Sequence, residues 1–244
     1  MAMKLRALPP GVVEIWYAFP GQNACQLRAH RYLSMLDEEE RMRHASFRFD
    51  VHRHLYLVSH ALLRSVLSLY RDIAPAQWRF ETGHYGRPEI ATPAEGPRLR
   101  FSLSHTEGLA ACAVGVDAGI GLDVEALDRR FSLASVIGRV LSELERRDVM
   151  ERDGDARMER FFTYWTLKEA YLKAVGAESP LPLRAFHFLI DGDYAPEIGF
   201  DRPIRDVGDH WHFYRFKPSD RHCLALAASF PATGATCRTF EYAP

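Results

Sequence analysis

The chain has 244 residues, of which 47% are hydrophobic, 12% aromatic and 26% charged. Those fractions are average for a soluble globular protein and exclude collagen-like, coiled-coil and disordered classes. Lys and Arg number 31 against 32 Asp and Glu, so the net charge of −1 excludes a whole-protein basic field, and no nucleic-acid partner is expected.

No apolar run approaches the ~18 residues of a membrane span, and the N-terminus shows no signal-peptide core, so no membrane partner is expected either. Cys25, Cys112, Cys223 and Cys237 form no CxxC pair. That argues against a zinc site or a disulfide framework and for the reducing cytoplasm.

In chain order, Gly11 to Ala18 reads as a strand closed by the turn Pro20-Gly21. Asp37 is placed to cap a charged helix from Glu38 to about Arg43. From Asp50 to Tyr70 the residues Leu55, Leu62, Leu63, Val66 and Leu67 recur at helical spacing. A loop at 82–89 and a Pro/Gly-rich run at 93–97 precede β-like runs at 99–103, 109–116 and 120–124. Helical patterns follow at 133–150 and 158–175, then strands at 186–190, 211–216 and 223–230. Helices and strands in this non-alternating order predict an α+β fold. The natural junction is Asp117-Ala118-Gly119, dividing the chain into 1–117 and 118–244.

Three stretches carry chemistry. In Gly119-Ile-Gly-Leu-Asp-Val-Glu125 strand alternation sends Asp123 and Glu125 to one face. Two like charges there repel unless a cation intervenes, and Mg2+ is the obvious one; the alternative is a solvated strand edge. On the helix around Trp165, Lys168 lies within an aromatic stripe, where an ammonium must snorkel or meet an anion. Glu169 and Lys173, one turn apart on its flank, can be an ordinary helix ion pair. Ser104-His105 leads into a turn whose hydroxyl, imidazole and amides suit phosphate oxygens, or is simply a turn with a surface histidine.

Gly86-Arg87-Pro88, Phe101-Ser-Leu-Ser-His105, the Gly119–Glu125 strand and Trp165-Thr-Leu-Lys-Glu-Ala-Tyr-Leu-Lys173 occur in this order. Together they resemble the 4′-phosphopantetheinyl transferases of the larger, pseudo-dimeric, Sfp-like type, over about residues 38–190. The resemblance implies two similar α+β halves packed with pseudo-two-fold symmetry around one cleft. It implies Mg2+, or Mn2+, at Asp123, Glu125 and Glu169. Coenzyme A would be contacted by Arg43, Arg87, Ser104, His105, Lys168 and Lys173, with Glu169 and Lys173 catalytic. Arg87 stands where many relatives have lysine, and a second basic position of some relatives falls near Glu40. The implied reaction moves 4′-phosphopantetheine from coenzyme A to a serine of an apo acyl or peptidyl carrier protein, releasing 3′,5′-ADP, and the implied enzyme is a cytoplasmic monomer. Arg129, Arg130, Arg146 and Arg147 are candidates for carrier docking. A non-catalytic coenzyme A- or carrier-binding module of the same fold, and a metal-dependent phosphodiesterase, are the competing readings.

Overall fold

The computed structural model describes residues 5–22, 26–83, 87–92, 96–129, 131–176, 182–192, 194–200, 211–230 and 236–242. Strand β1 (Val12–Ala18) is followed by helices α1 (Ala29–Met35), α2 (Glu38–Ser46) and α3 (Asp50–Leu67). A 3-10 turn (Pro75–Gln77) leads to the short pair β2 (Phe80–Thr82) and β3 (Pro88–Ile90), then to β4 (Leu99–Thr106) and β5 (Leu109–Val116). The second half runs through the same series: β6 (Gly119–Ala126), α4 (Leu133–Val140), α5 (Glu143–Met150), α6 (Gly154–Val175) and a 3-10 turn (Leu183–Ala185). It continues with the pair β7 (Phe186–Leu189) and β8 (Glu197–Phe200), then β9 (Trp211–Ser219) and β10 (His222–Ser229).

The first sheet runs β1-β5-β4 and the second β6-β10-β9, so the two halves share one topology. The expected α+β fold of two similar halves is therefore what the chain forms. β11 (Thr236–Glu241) returns to the first sheet and pairs in parallel with β1.

Three apolar clusters hold four layers together. α3 covers the outer face of the first sheet through Leu62, Val66, Trp16 and Phe101. α6 covers the second through Phe161, Leu167, Ala225 and Phe213. Between the sheets, Val13, Ile15 and Ala111 meet Leu122, Val124 and Leu226. Where β4 adjoins β6, two serine hydroxyls replace a backbone ladder: Leu122 N–H donates to Ser102 Oγ at 2.9 Å and Val124 N–H to Ser104 Oγ at 3.3 Å. That seam is where the two halves meet beside the candidate site.

Most expected elements are present, and the differences have local causes. The single helix expected over 133–150 breaks after Val140, because Ser142 is the N-cap of a capping box with Glu145 and starts a new helix there. Asp37 caps α2 as expected, in a reciprocal box with Glu40. β2 and β3 lie at the ends of the stretch expected as a loop. Gly86, Arg130 and the run 93–95 lie outside the described residues.

Candidate active site

α2 and α5 occupy equivalent places, and each offers its third-position glutamate to a buried cation on the long helix of its own half. In the first half Arg64 is fully buried and pairs with Asp37 at 2.8 Å and Glu40 at 2.7 Å. It also donates to the carbonyls of Pro75 and Trp78, which bracket the 3-10 turn. In the second half Lys168 is equally buried and pairs with Glu145 at 2.8 Å. Its ammonium donates to the carbonyls of Leu183 and Phe186, which bracket the second 3-10 turn, at 2.6 and 2.5 Å. The anion that Lys168 needed is therefore Glu145. This corrects the expectation that Lys168 contacts coenzyme A, because its ammonium is sealed from solvent and saturated by protein acceptors. It anchors α6 instead.

With α6 held there, Glu169 and Lys173 face the second sheet. Their approach requires Gly121, where any Cβ would collide with the Ala170 carbonyl and crowd Ala174 N. Lys173 Nζ lies 2.6 Å from Asp123 Oδ1, 3.2 Å from Ser104 Oγ and 3.1 Å from the Leu122 carbonyl. Ser104 Oγ donates to the same Asp123 oxygen at 3.1 Å. Residues from β4, β6 and α6 thus converge on Asp123, which is buried together with Glu125. The solvated-edge reading of this strand is excluded.

Burial raises the pKa of Asp123, against the opposing charge of Lys173 and the hydrogen bonds it accepts. Burial, and then the charge of Asp123, raise Glu125 and Glu169 as well. Carboxylates whose pKa is raised by burial and by one another are the environment a hard cation would relieve. Asp123 Oδ2 is buried without a hydrogen-bond partner, an oxygen lone pair that a cation could use. Glu125 turns toward Arg129, 3.3 Å away. Among the described residues no three His, Cys, Asp or Glu side chains are gathered closely enough to share an ion. Mg2+ does not require that, since it takes one or two protein carboxylates and fills its shell with water and substrate phosphates. The all-oxygen donor set centred on Asp123 fits it.

On the other side of the seam a cavity of about 210 Å3 is lined by Arg43, Tyr56, His60, Phe80, Pro88 and Phe101, among others. His60 was not singled out in the sequence, although Tyr56, His60 and Leu63 follow helical spacing along one face of α3. Its Nδ1 meets Glu40 Oε1 at 2.7 Å. Glu40 is thus paired inside the protein, with His60 and Arg64. His105 reaches solvent at the end of β4 between the two regions; partial desolvation by the protein around its ring lowers its pKa, and the charges of both His60 and Lys173 push it the same way. A larger cavity of about 450 Å3 lies beside α6 and β9. It contains none of the expected site residues.

The structure therefore brings together Asp123, Glu125, Glu169, Lys173, Ser104 and His105, with Arg43 on the adjoining cavity. Ser104 serves first as the seam between β4 and β6. Arg87 is described without Gly86, and its guanidinium donates to four protein carbonyls rather than standing free. Burial, and then the charge of Arg100, lower its pKa. Arg146 and Arg147 both pair with Glu143 on the exposed face of α5.

Buried carboxylates paired with a lysine thus lie where the two α+β halves meet, and the adjoining cavity carries Arg43 and His60 among the carboxylates of Asp37, Glu39, Glu40 and Glu81. The profile of the 4′-phosphopantetheinyl transferase superfamily matches residues 119–227, the stretch holding that cluster. The chain is 28% identical to the 4′-phosphopantetheinyl transferase Sfp of Bacillus subtilis over 219 residues, 90% of this chain and 93% of that one. It is 35% identical to the 4′-phosphopantetheinyl transferase HetI of Nostoc sp. over 141 residues, 58% of this chain, and the match spans 60% of that relative. A crystal structure of a holo-(acyl-carrier-protein) synthase from Bacillus anthracis in complex with CoA (3′,5′-ADP) aligns at TM-score 0.39 and 24% identity, covering 47% of this chain and 96% of that one. The chain belongs to the 4′-phosphopantetheinyl transferase superfamily.

Proposed function

We propose that the protein transfers 4′-phosphopantetheine from coenzyme A to a serine hydroxyl of an apo carrier protein and releases 3′,5′-ADP. The observation that carries this reading is the Asp123–Lys173–Ser104 contact set, with Asp123 Oδ2 left buried and unpaired. Transfer of a phosphoryl group depends mainly on alignment and charge stabilisation. In the proposed step the serine oxygen forms the new bond to the pantetheine-bearing phosphorus. The bond from that phosphorus to the bridging oxygen breaks, and the electron pair leaves with 3′,5′-ADP.

Glu169 is the proposed acceptor of the serine proton. Its pKa is raised by burial and by Asp123, which makes it a stronger base than an ordinary glutamate. Lys173 is placed to steady charge developing on the phosphate oxygens. Asp123, with Glu125 and Glu169 beside it, would hold Mg2+ or Mn2+; a bound divalent ion supplies charge neutralisation to the pyrophosphate. Arg43 lines the cavity proposed for the nucleotide end of coenzyme A, and His105 lies within the electrostatic reach of both His60 and Lys173.

The same reading divides the chain at residues 117 and 118. It places a monomer in the cytoplasm, in keeping with Cys112, Cys223 and Cys237 all being free thiols. Among the described residues no helix is long and apolar enough to cross a membrane.

The test is incubation of the protein with coenzyme A, Mg2+ and each of several apo carrier proteins, followed by intact-mass spectrometry. A carrier heavier by one phosphopantetheine, with stoichiometric 3′,5′-ADP, is expected. Tight coenzyme A binding with every carrier left unmodified would replace this reading by that of a binding module.

A further inference from the structure

Arg87 reaches across the seam between the halves. One terminal nitrogen of its guanidinium donates to the carbonyls of Phe101 on β4 and Ile120 on β6, at 3.0 and 2.7 Å. The other donates to the carbonyl of Lys173 at 3.2 Å and lies 3.5 Å from that of Ala174. These are the three elements that supply the site. Phe101 precedes Ser104 by three residues, Ile120 precedes Asp123 by three, and Lys173 is itself a site residue. The contacts on α6 fall in its last turn, where carbonyls lack helical partners and a cation is favoured.

We propose that Arg87 is a positioning residue. It ties β4, β6 and the end of α6 together, and so fixes Ser104, Asp123 and Lys173 relative to one another. This rests on the transferase reading for its kinetic consequence, though not for its structural one. A planar guanidinium offers several donors in a fixed fork, whereas a lysine ammonium at the same place is a single point. With both terminal nitrogens engaged by backbone, the side chain is not the nucleotide contact that the motif suggests.

The test compares wild type, Arg87→Ala and Arg87→Lys by steady-state transfer kinetics with coenzyme A varied, and by amide hydrogen exchange. For Arg87→Ala, kcat is expected to fall about 10- to 100-fold, the range for loss of a residue that orients functional groups, with KM for coenzyme A unchanged. Arg87→Lys should recover part of that loss and also covers the case in which Arg87→Ala does not fold. Exchange of the amides at 172–176 should speed up in both variants, while the core strand β5 stays protected. A KM raised with kcat unchanged would make Arg87 a ligand contact and overturn the proposal, and so would unchanged exchange at 172–176. Failure of the transferase reading would appear separately, as absence of transfer by the wild type, and the exchange result would still decide the role of Arg87.

Discussion

The two halves share one topology and one buried bracket, yet only the second supplies the carboxylates and the lysine of the site. The difference is clearest at a pair of equivalent strand positions. Glu14 of β1 lies opposite Val114 and Gly121 of β6 lies opposite Ala227; these partners are the sixth residues of β5 and β10. In the first half Glu14 fills the space beneath the helical layer. It is buried and accepts from Tyr70 at 2.5 Å and Arg6 at 3.2 Å. In the second half the glycine leaves that space empty and α6 settles onto β6.

Two residues further along, Trp16 occupies the place of Asp123, opposite Cys112 where Asp123 lies opposite Ala225. After the buried cations, Ser65 follows Arg64 where Glu169 follows Lys168. The same scaffold thus carries a sealed polar network in one half. In the other it carries carboxylates at close range to a lysine.

The comparison can be broken most severely at the brackets. Lys168→Met would leave Glu145 buried without its cation, and Arg64→Met would do the same to Glu40. Each should cost about 3–5 kcal/mol in urea unfolding. Only Lys168→Met should also lower transfer per folded molecule, because only that bracket sits next to Glu169. Equal activity losses in the two variants would count against the division of roles.

Gly121→Val tests the close approach itself. Overpacking should cost about 1–3 kcal/mol, and lifting α6 from β6 should reduce kcat about 100-fold. Glu14→Gln should change stability and leave kcat alone. A Gly121→Val enzyme of wild-type turnover would show that the approach of α6 is not needed.

Addition of Mg2+ with coenzyme A should raise the thermal midpoint, through about 2.7 kcal/mol at a hundred times the dissociation constant. Chelation should reverse the rise, and Asp123→Asn should remove it. The same rise in Asp123→Asn would place the ion elsewhere.

The smallest expected effect is a pH dependence of the first half. Burial alone would raise the pKa of Glu40, but the hydrogen bond from His60 and the charges of His60 and Arg64 outweigh it and hold it below the usual 4.5. The stabilisation is therefore complete above the ordinary value and is lost as pH falls through the lower folded one. Glu40→Gln should melt earlier than wild type at neutral pH and converge with it in acid. A constant difference at all pH values would contradict the linkage.

Much of the local structure was legible in the sequence. The Asp37 cap, the α3 stripe and the shared face of Asp123 and Glu125 follow from spacing and parity alone. The pairing of the Gly119–Glu125 strand with the Trp165–Lys173 helix pointed to the right chemistry. What could not be read was non-local. The anion for Lys168 is Glu145, whose visible role is only to cap α5. The repeat of the two halves is one of element order, and a residue match as short as Leu36–Arg41 against Leu141–Arg146, which share Leu, Glu, Glu and Arg, is too brief to announce it. The parallel pairing of β11 with β1 joins residues more than two hundred positions apart. His60 stayed hidden because a histidine in an apolar helical stripe looks like a core residue until Glu40 and the cavity are seen beside it.

In the proposed transferase Asp123 organises the site, drawing Ser104 of the first half and Lys173 of the second onto one carboxylate. The most direct measurement is the rate of carrier modification by Asp123→Asn beside wild type, at saturating coenzyme A and Mg2+, with both proteins shown to be folded. The account predicts at least about a 100-fold loss, from removal of the charge that draws in Lys173 and the metal. Modification at the wild-type rate would contradict it.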